Sequence, residues 1–149
     1  MEGVSLYSFP QFMKSFSKNE GLRLFEIVDK CKEMKINNFK GVFSRDKLNE
    51  NKKTNNECLV LNIDDDKNPG THWVALFIEN GVSYYFDSFG FDPPEEIKEY
   101  CKEKLYSNTF KIQLPDEVIC GHYCIFMLFR LSNGYDFYEV LDELYRYNH

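Results

Sequence analysis

Histidine is scarce in this chain: three occur in 149 residues, and His149 is the last of them. Chemistry that needs an imidazole inside the sequence must pass through His72 or His122. No apolar run approaches the roughly 18 residues that would span a bilayer. No basic-plus-apolar leader of the signal-peptide kind is readable either, so no membrane partner is expected and the protein is not expected to be secreted. The five cysteines are odd in number and irregularly spaced, which argues against a disulfide framework and suits free thiols in a reducing compartment. Repeats, linkers and low-complexity segments are absent. Residues 1–149 therefore read as one domain, with 1–17 an aromatic, Ser-containing arm of undefined form.

What the chain has in quantity is aromatic bulk, with 14 Phe and 10 Tyr, enough to build a substantial core at this length. Its charge is uneven. Residues 1–56 carry 11 Lys/Arg against 7 Asp/Glu, whereas residues 57–149 carry 7 against 17. A basic first third suggests either a polyanion-binding end or a solvated helix face. The candidates are Lys30, Lys32, Lys35, Lys40, Arg45, Lys47, Lys52 and Lys53. The acidic remainder opposes a phosphate backbone, so DNA is expected to bind weakly at most.

Ser17 and Glu20 have capping-box spacing. Leu24, Ile27, Val28, Cys31 and Met34 then recur at helical intervals, which predicts a helix over 18–35. Residues 39–43 and 58–63 read as strands separated by a polar loop over 49–56. Asp64, Asp65 and Asp66 open a turn, read as a solvated loop in preference to a metal site. Trp73–Glu79 and residues 82–87 are strand-like runs joined by Asn80-Gly81, a strong hairpin signal. Asp92, Pro93, Pro94 and Glu95 start a helix with Ile97, Tyr100, Cys101 and Leu105 on its apolar face. Residues 109–113 predict another strand. Residues 120–132 are apolar nearly all round, the mark of a buried helix. Asp136 and Glu139 begin a last helix whose inward face is Phe137, Val140, Leu141 and Leu144. The fold class is α+β, a central mixed sheet flanked by helices, with Cys120 at the start of the buried one.

Spacing then points to chemistry. With Asn80-Gly81 as a two-residue turn, Glu79 pairs with Val82 and Asp87 falls opposite Val74. His72 and Asp87 become diagonal neighbours on one face, where a carboxylate can orient an imidazole. Unpaired N–H groups and the macrodipole at a helix start favour an anion, and hence the thiolate of Cys120. Gly121 permits close backbone approach beside it, and the amide of Gln113 offers a second donor toward an oxyanion. Taken alone, Cys120 reads as a buried structural thiol and Gln113 as an ordinary strand residue. Only the combination forms the set that thiol catalysis needs.

The strings GTHWVALF, YYFDSFG and CGHYCIF resemble the adenain-type viral proteases, which share a fold with the proteases of SUMO-like proteins. His72, Asp87, Gln113 and Cys120 stand in that family's order, and the seven-residue step from Gln113 to Cys120 is similar to adenoviral members. Asn37 through Asp46, followed by Asn56-Glu57-Cys58, resembles the proteases of virophages and Polinton-type elements. The likeness covers about residues 36–132. It implies a cysteine endopeptidase without a cofactor that cleaves capsid or virion precursors at Gly-containing sites, acting in the virion and host cytoplasm. An activating peptide is a further partner it suggests. It also implies the roles: His72 as base and acid, Asp87 orienting it, Cys120 attacking, Gln113 holding the oxyanion, and Trp73 and Gly121 shaping the substrate cleft. A buried core Trp is the plain alternative for Trp73. Two departures stand out. The acid is Asp87 where adenoviral members carry Glu, and the stretch from acid to nucleophile is shorter.

Other readings remain open at this level. A deconjugase for ubiquitin-like tails keeps the mechanism and changes the substrate. A zinc module would use Cys58, His72, Cys120, His122 and Cys124, but only Cys120 and Cys124 have knuckle spacing, inside a helical stretch. A catalytically inactive interaction domain would not need the four-residue set. Cys31, Cys58, Cys101 and Cys124 fall on apolar faces, where packing explains them, and His122 points away from Cys120 on a helix.

Overall fold

The computed structural model describes residues 7–17, 20–63, 72–102, 104–114 and 117–149. In chain order it contains α1 (Phe9–Lys14), α2 (Leu24–Glu33), β1 (Phe39–Ser44), a 3₁₀ turn (Arg45–Glu50), β2 (Glu57–Asn62) and β3 (Trp73–Glu79). There follow β4 (Val82–Phe86), α3 (Glu95–Cys101), β5 (Leu105–Ser107), α4 (Cys120–Ser132) and α5 (Phe137–Asn148). The strands form one mixed sheet in the order β1-β2-β3-β4-β5. Its outer pairs, β1 with β2 and β4 with β5, are parallel, and the inner pairs are antiparallel.

Both faces of the sheet are covered, so the central strands are apolar on both sides. Leu59, Leu61, Val74, Leu76, Ile78 and Tyr85 pack with Leu48, Ile97 and Cys101 on one side. Val60, Ala75, Phe77 and Phe86 pack against α4 on the other. Residues 120 to 131 are buried without a break, because α4 lies between the sheet, α2 and α5. Asn80 and Gly81 both take positive φ, at 52° and 81°, the geometry that lets a two-residue turn match strand twist. The register is the expected one, with Glu79 opposite Val82 and Ala75 opposite Phe86.

Three expectations need correction, and the arm left undefined takes a form. The arm contains α1, closed by a capping box between Ser8 and Gln11. The next helix begins at Leu24, not near residue 18, and the Glu26 carboxylate accepts from the Arg23 N–H at 2.8 Å. The Leu22 carbonyl just before it accepts from Trp73 Nε1, and the N-cap position is Arg23, so Ser17 and Glu20 do not cap this helix. Leu105 belongs to β5, since α3 stops at Cys101 and Lys102 turns to φ 62°. Residues 109–113 form no strand, because the Ile112 and Gln113 N–H groups both donate to the Ser88 carbonyl instead of a neighbouring strand. The Asp64–66 turn, Gly70 and Thr71 lie outside the described residues. Among the described residues no helix is long and apolar enough to cross a membrane.

Candidate active site

His72 immediately precedes β3 and Asp87 immediately follows β4, so the hairpin delivers both to one end of the sheet. His72 Nε2 lies 2.7 Å from Asp87 Oδ1. The carboxylate is fully buried and also accepts from the Phe89 N–H at 2.8 Å. The Phe89 ring covers the imidazole with centroids 4.6 Å apart. Burial on its own would lower the His72 pKa, but hydrogen bonding and charge from Asp87 and Cys120 outweigh it and raise the value to about 9. Asp87 and Cys120 thus both favour the charged imidazole.

Cys120 is the first residue of α4, with Ile119 in the capping position and no side chain closing the helix start. The Trp73 N–H donates to its sulfur at 3.4 Å, adding to the positive end of a 13-residue helix. Trp73 is 7% exposed. It is both a core residue and a wall of the cleft. Gly121 has a packing reason to be glycine. A Cβ there would lie 3.2 Å from the Trp73 ring and 3.4 Å from Ile27 and Leu22 side-chain atoms, so the close approach it permits is by side chains.

Gln113 is buried. Its Oε1 accepts from the Ser88 hydroxyl at 2.6 Å and its Nε2 donates to the Glu117 carbonyl at 2.5 Å. Together with His72, Trp73, Phe89 and Cys120 it lines a cleft of about 530 Å³. Three of the four expected residues, His72, Gln113 and Cys120, therefore line one cleft, and Asp87 reaches it through His72. His122 does not join them. It faces Phe16, ring centroids 4.5 Å apart, and burial lowers its pKa to about 4. Cys124 is fully buried, and burial raises its thiol pKa well above the ordinary value. The set a zinc module would need is not assembled: among the described residues no three His, Cys, Asp or Glu side chains group as a metal site.

Two further residues belong to the site. Asn108 clamps the Asp87 backbone from both sides, accepting from its N–H at 3.1 Å and donating to its carbonyl at 2.6 Å. Ser88 bonds Gln113 as described. A polar residue in a short strand–loop region carries no sequence signal for either contact. The Ser88 position beside the acid is the one hint that spacing offers.

No family model matches the sequence. Over 96 residues, 55% of this chain, it is 29% identical to a protein of Acanthamoeba polyphaga mimivirus provisionally named thiol protease R355. The chain spans about a third of the length of that curated relative, 32%. Two crystal structures of the ASFV pS273R protease share the fold across 87% of this chain at 16% identity. The TM-scores are 0.61 for the selenomethionine form, covering 67% of that chain, and 0.56 for the other, covering 66%. The chain is thus similar in sequence to a mimivirus protein named as a thiol protease and similar in fold to the ASFV pS273R protease.

Proposed function

We propose that the chain is a cysteine endopeptidase in which Cys120 is the nucleophile, His72 the base and acid, and Asp87 the residue that orients His72. Gln113 and a backbone N–H near Cys120 are the oxyanion donors. The observation that carries this reading is the 2.7 Å contact between His72 and the buried Asp87, on an imidazole that lines one cleft with Cys120. An ionised carboxylate only accepts, so Asp87 fixes the proton on Nε2 and leaves Nδ1 as the nitrogen that takes the thiol proton. The thiol proton passes to the imidazole, and the thiolate adds to the scissile carbonyl carbon to give a tetrahedral oxyanion. Collapse breaks the C–N bond as His72 gives its proton to the leaving amine, and a thioester remains on Cys120. Water then gives a proton to His72 and adds to the thioester. A second collapse expels the sulfur and releases the acid.

The substrates in this reading are capsid or virion precursors cut at Gly-containing sites, in the virion or host cytoplasm. Leu22, Trp73 and Val118 give the cleft apolar walls beside Cys120, and the glycine preference rests on the resemblance. DNA stays a weak partner. Several candidate cations are already engaged: Lys30 with Glu33 at 3.0 Å, Arg45 with Glu96 at 3.7 Å, and Lys53 on the Cys101 carbonyl at 3.2 Å.

Co-expression with a candidate capsid protein, with cuts mapped by mass spectrometry, tests the reading. Cys120→Ala should abolish cleavage, whereas Cys124→Ala, one helical turn deeper in the core, should retain most of it. Equal loss in both variants, each folded, overturns the assignment of the nucleophile.

A further inference from the structure

We infer that Ser88 is a positioning residue for Gln113, so that one dipeptide, Asp87-Ser88, sets both the imidazole and the oxyanion-side amide. This rests on the proposed protease reading and goes beyond it, because the resemblance supplies no role for Ser88.

A primary amide has two ends of nearly equal size and opposite chemistry. Packing alone cannot decide which end faces a cleft. Here two neighbours decide it. The Glu117 carbonyl can only accept, so it must meet Nε2, at 2.5 Å. The Ser88 hydroxyl then donates to Oε1 at 2.6 Å. Ser88 is completely buried and Gln113 nearly so, hence water does not compete for either position. The backbone repeats the instruction, since the Ser88 carbonyl accepts from the N–H groups of both Ile112 and Gln113, at 2.8 and 2.9 Å. With Oε1 held inward, the second N–H of Nε2 is the amide's remaining donor, on a residue that lines the cleft with His72 and Cys120. Without the hydroxyl, Oε1 is a buried acceptor lacking its donor, which is costly to leave unmade. The amide is then held by the Glu117 carbonyl alone, and each excursion from that single bond misaims the remaining N–H or brings a carbonyl oxygen toward developing negative charge, the reverse of what the transition state needs.

Asp87 has its own supports in Asn108 and the Phe89 N–H. Ser88→Ala therefore removes one of the two bonds that aim the Gln113 amide and leaves the contact between His72 and Asp87 in place.

The experiment uses the full chain and a quenched peptide carrying a mapped cut site. Removing one oxyanion donor costs about 10²–10³ in kcat, so Gln113→Ala should show that loss. Ser88→Ala should show part of it, roughly 10- to 100-fold, with KM within about twofold because the donor acts in the transition state. In the Gln113→Ala background, Ser88→Ala should cost nothing more. Alkylation of Cys120 by iodoacetamide, followed by peptide mass spectrometry, should keep its wild-type rate in Ser88→Ala, since that reaction forms no oxyanion. An unchanged kcat, a full additional loss on top of Gln113→Ala, or alkylation slowed in step with kcat would each overturn the inference. If Ser88→Ala does not fold, Ser88→Cys, a weaker donor of similar size, takes the same kcat and KM comparison. Turnover that survives Cys120→Ala would instead bring down the protease reading itself, and this inference with it.

Discussion

The imidazole of His72 is held by opposed forces. Burial works against its charged form, while Asp87 and Cys120 work for it and win, raising the pKa to about 9. Removing the Asp87 carboxylate leaves burial less opposed. An NMR titration of His72 in Asp87→Ala should therefore give a midpoint well below 9, moved back toward or past the ordinary 6.5. If Asp87 works through His72 and not on substrate, His72→Ala and Asp87→Ala should each cost roughly 10²–10⁴ in turnover. The double variant should then lose little beyond the worse single one. Losses that multiply would show that the two act separately. This pair is legible in the sequence, because Asn80-Gly81 fixes the register and the register fixes which residues share a face. Ser88 and Asn108 are not. Their partners lie 25 and 21 residues away in the chain, and no local pattern encodes that proximity.

At the scale of elements, the turn after β4 rests on the stretch before α4. Gly90 takes φ 76°, and a Cβ there would lie 2.7 Å from the Phe110 carbonyl carbon and oxygen. Backbone cannot move aside as a flexible side chain would. Gly90→Ala should cost about 1–3 kcal/mol in stability from the left-handed conformation alone, read by urea unfolding. Turnover of the folded fraction should also fall, because the turn carries Asp87 and Ser88. Full activity in a stable Gly90→Ala protein would mean that this contact does not position the site. The same region shows why periodicity misleads at 109–113. Alternation gives a strand pattern, yet the backbone N–H groups of Ile112 and Gln113 are taken by Ser88, so tertiary bonding overrides propensity. The start of α2 departs from expectation for a like reason, as the Leu22 carbonyl is committed to Trp73. Where both faces of an element are apolar, as in β3 and α4, the sequence reading and the structure agree.

Across the whole molecule, His122 ties stability to pH. Burial holds its pKa at about 4, with the Glu26 charge raising it and Lys30 lowering it, below the ordinary 6.5. Between those values the unfolded chain binds more protons than the folded one, so stability is present above pH 6.5 and is lost as pH falls toward 4. The difference corresponds to on the order of 3 kcal/mol. Urea unfolding at pH 7 and pH 4.5 should show most of that loss in the wild type and much less in His122→Leu. An identical loss in both would assign the acid sensitivity to other groups. His72 contributes the opposite slope. Its raised pKa adds stability below 6.5, which is lost as pH rises through about 9.

The last turn of α5 has a mechanical side. Asn148 Nδ2 donates to the Ile112 carbonyl at 2.8 Å, reaches Glu117 Oε1 at 3.4 Å, and bonds the Tyr123 hydroxyl. Tyr123 in turn donates to Glu117 Oε1 at 3.0 Å. Helix ends open far more often than helix middles, so the amide donor Gln113 hangs from a latch at the end of the helix that frays first. Each brief opening would loosen the segment that aims the amide while the sheet and α4 stay closed. In the proposed protease, warming would then switch turnover off, reversibly, before the core begins to melt, and the upper working temperature would be set by one asparagine instead of by the aromatic interior.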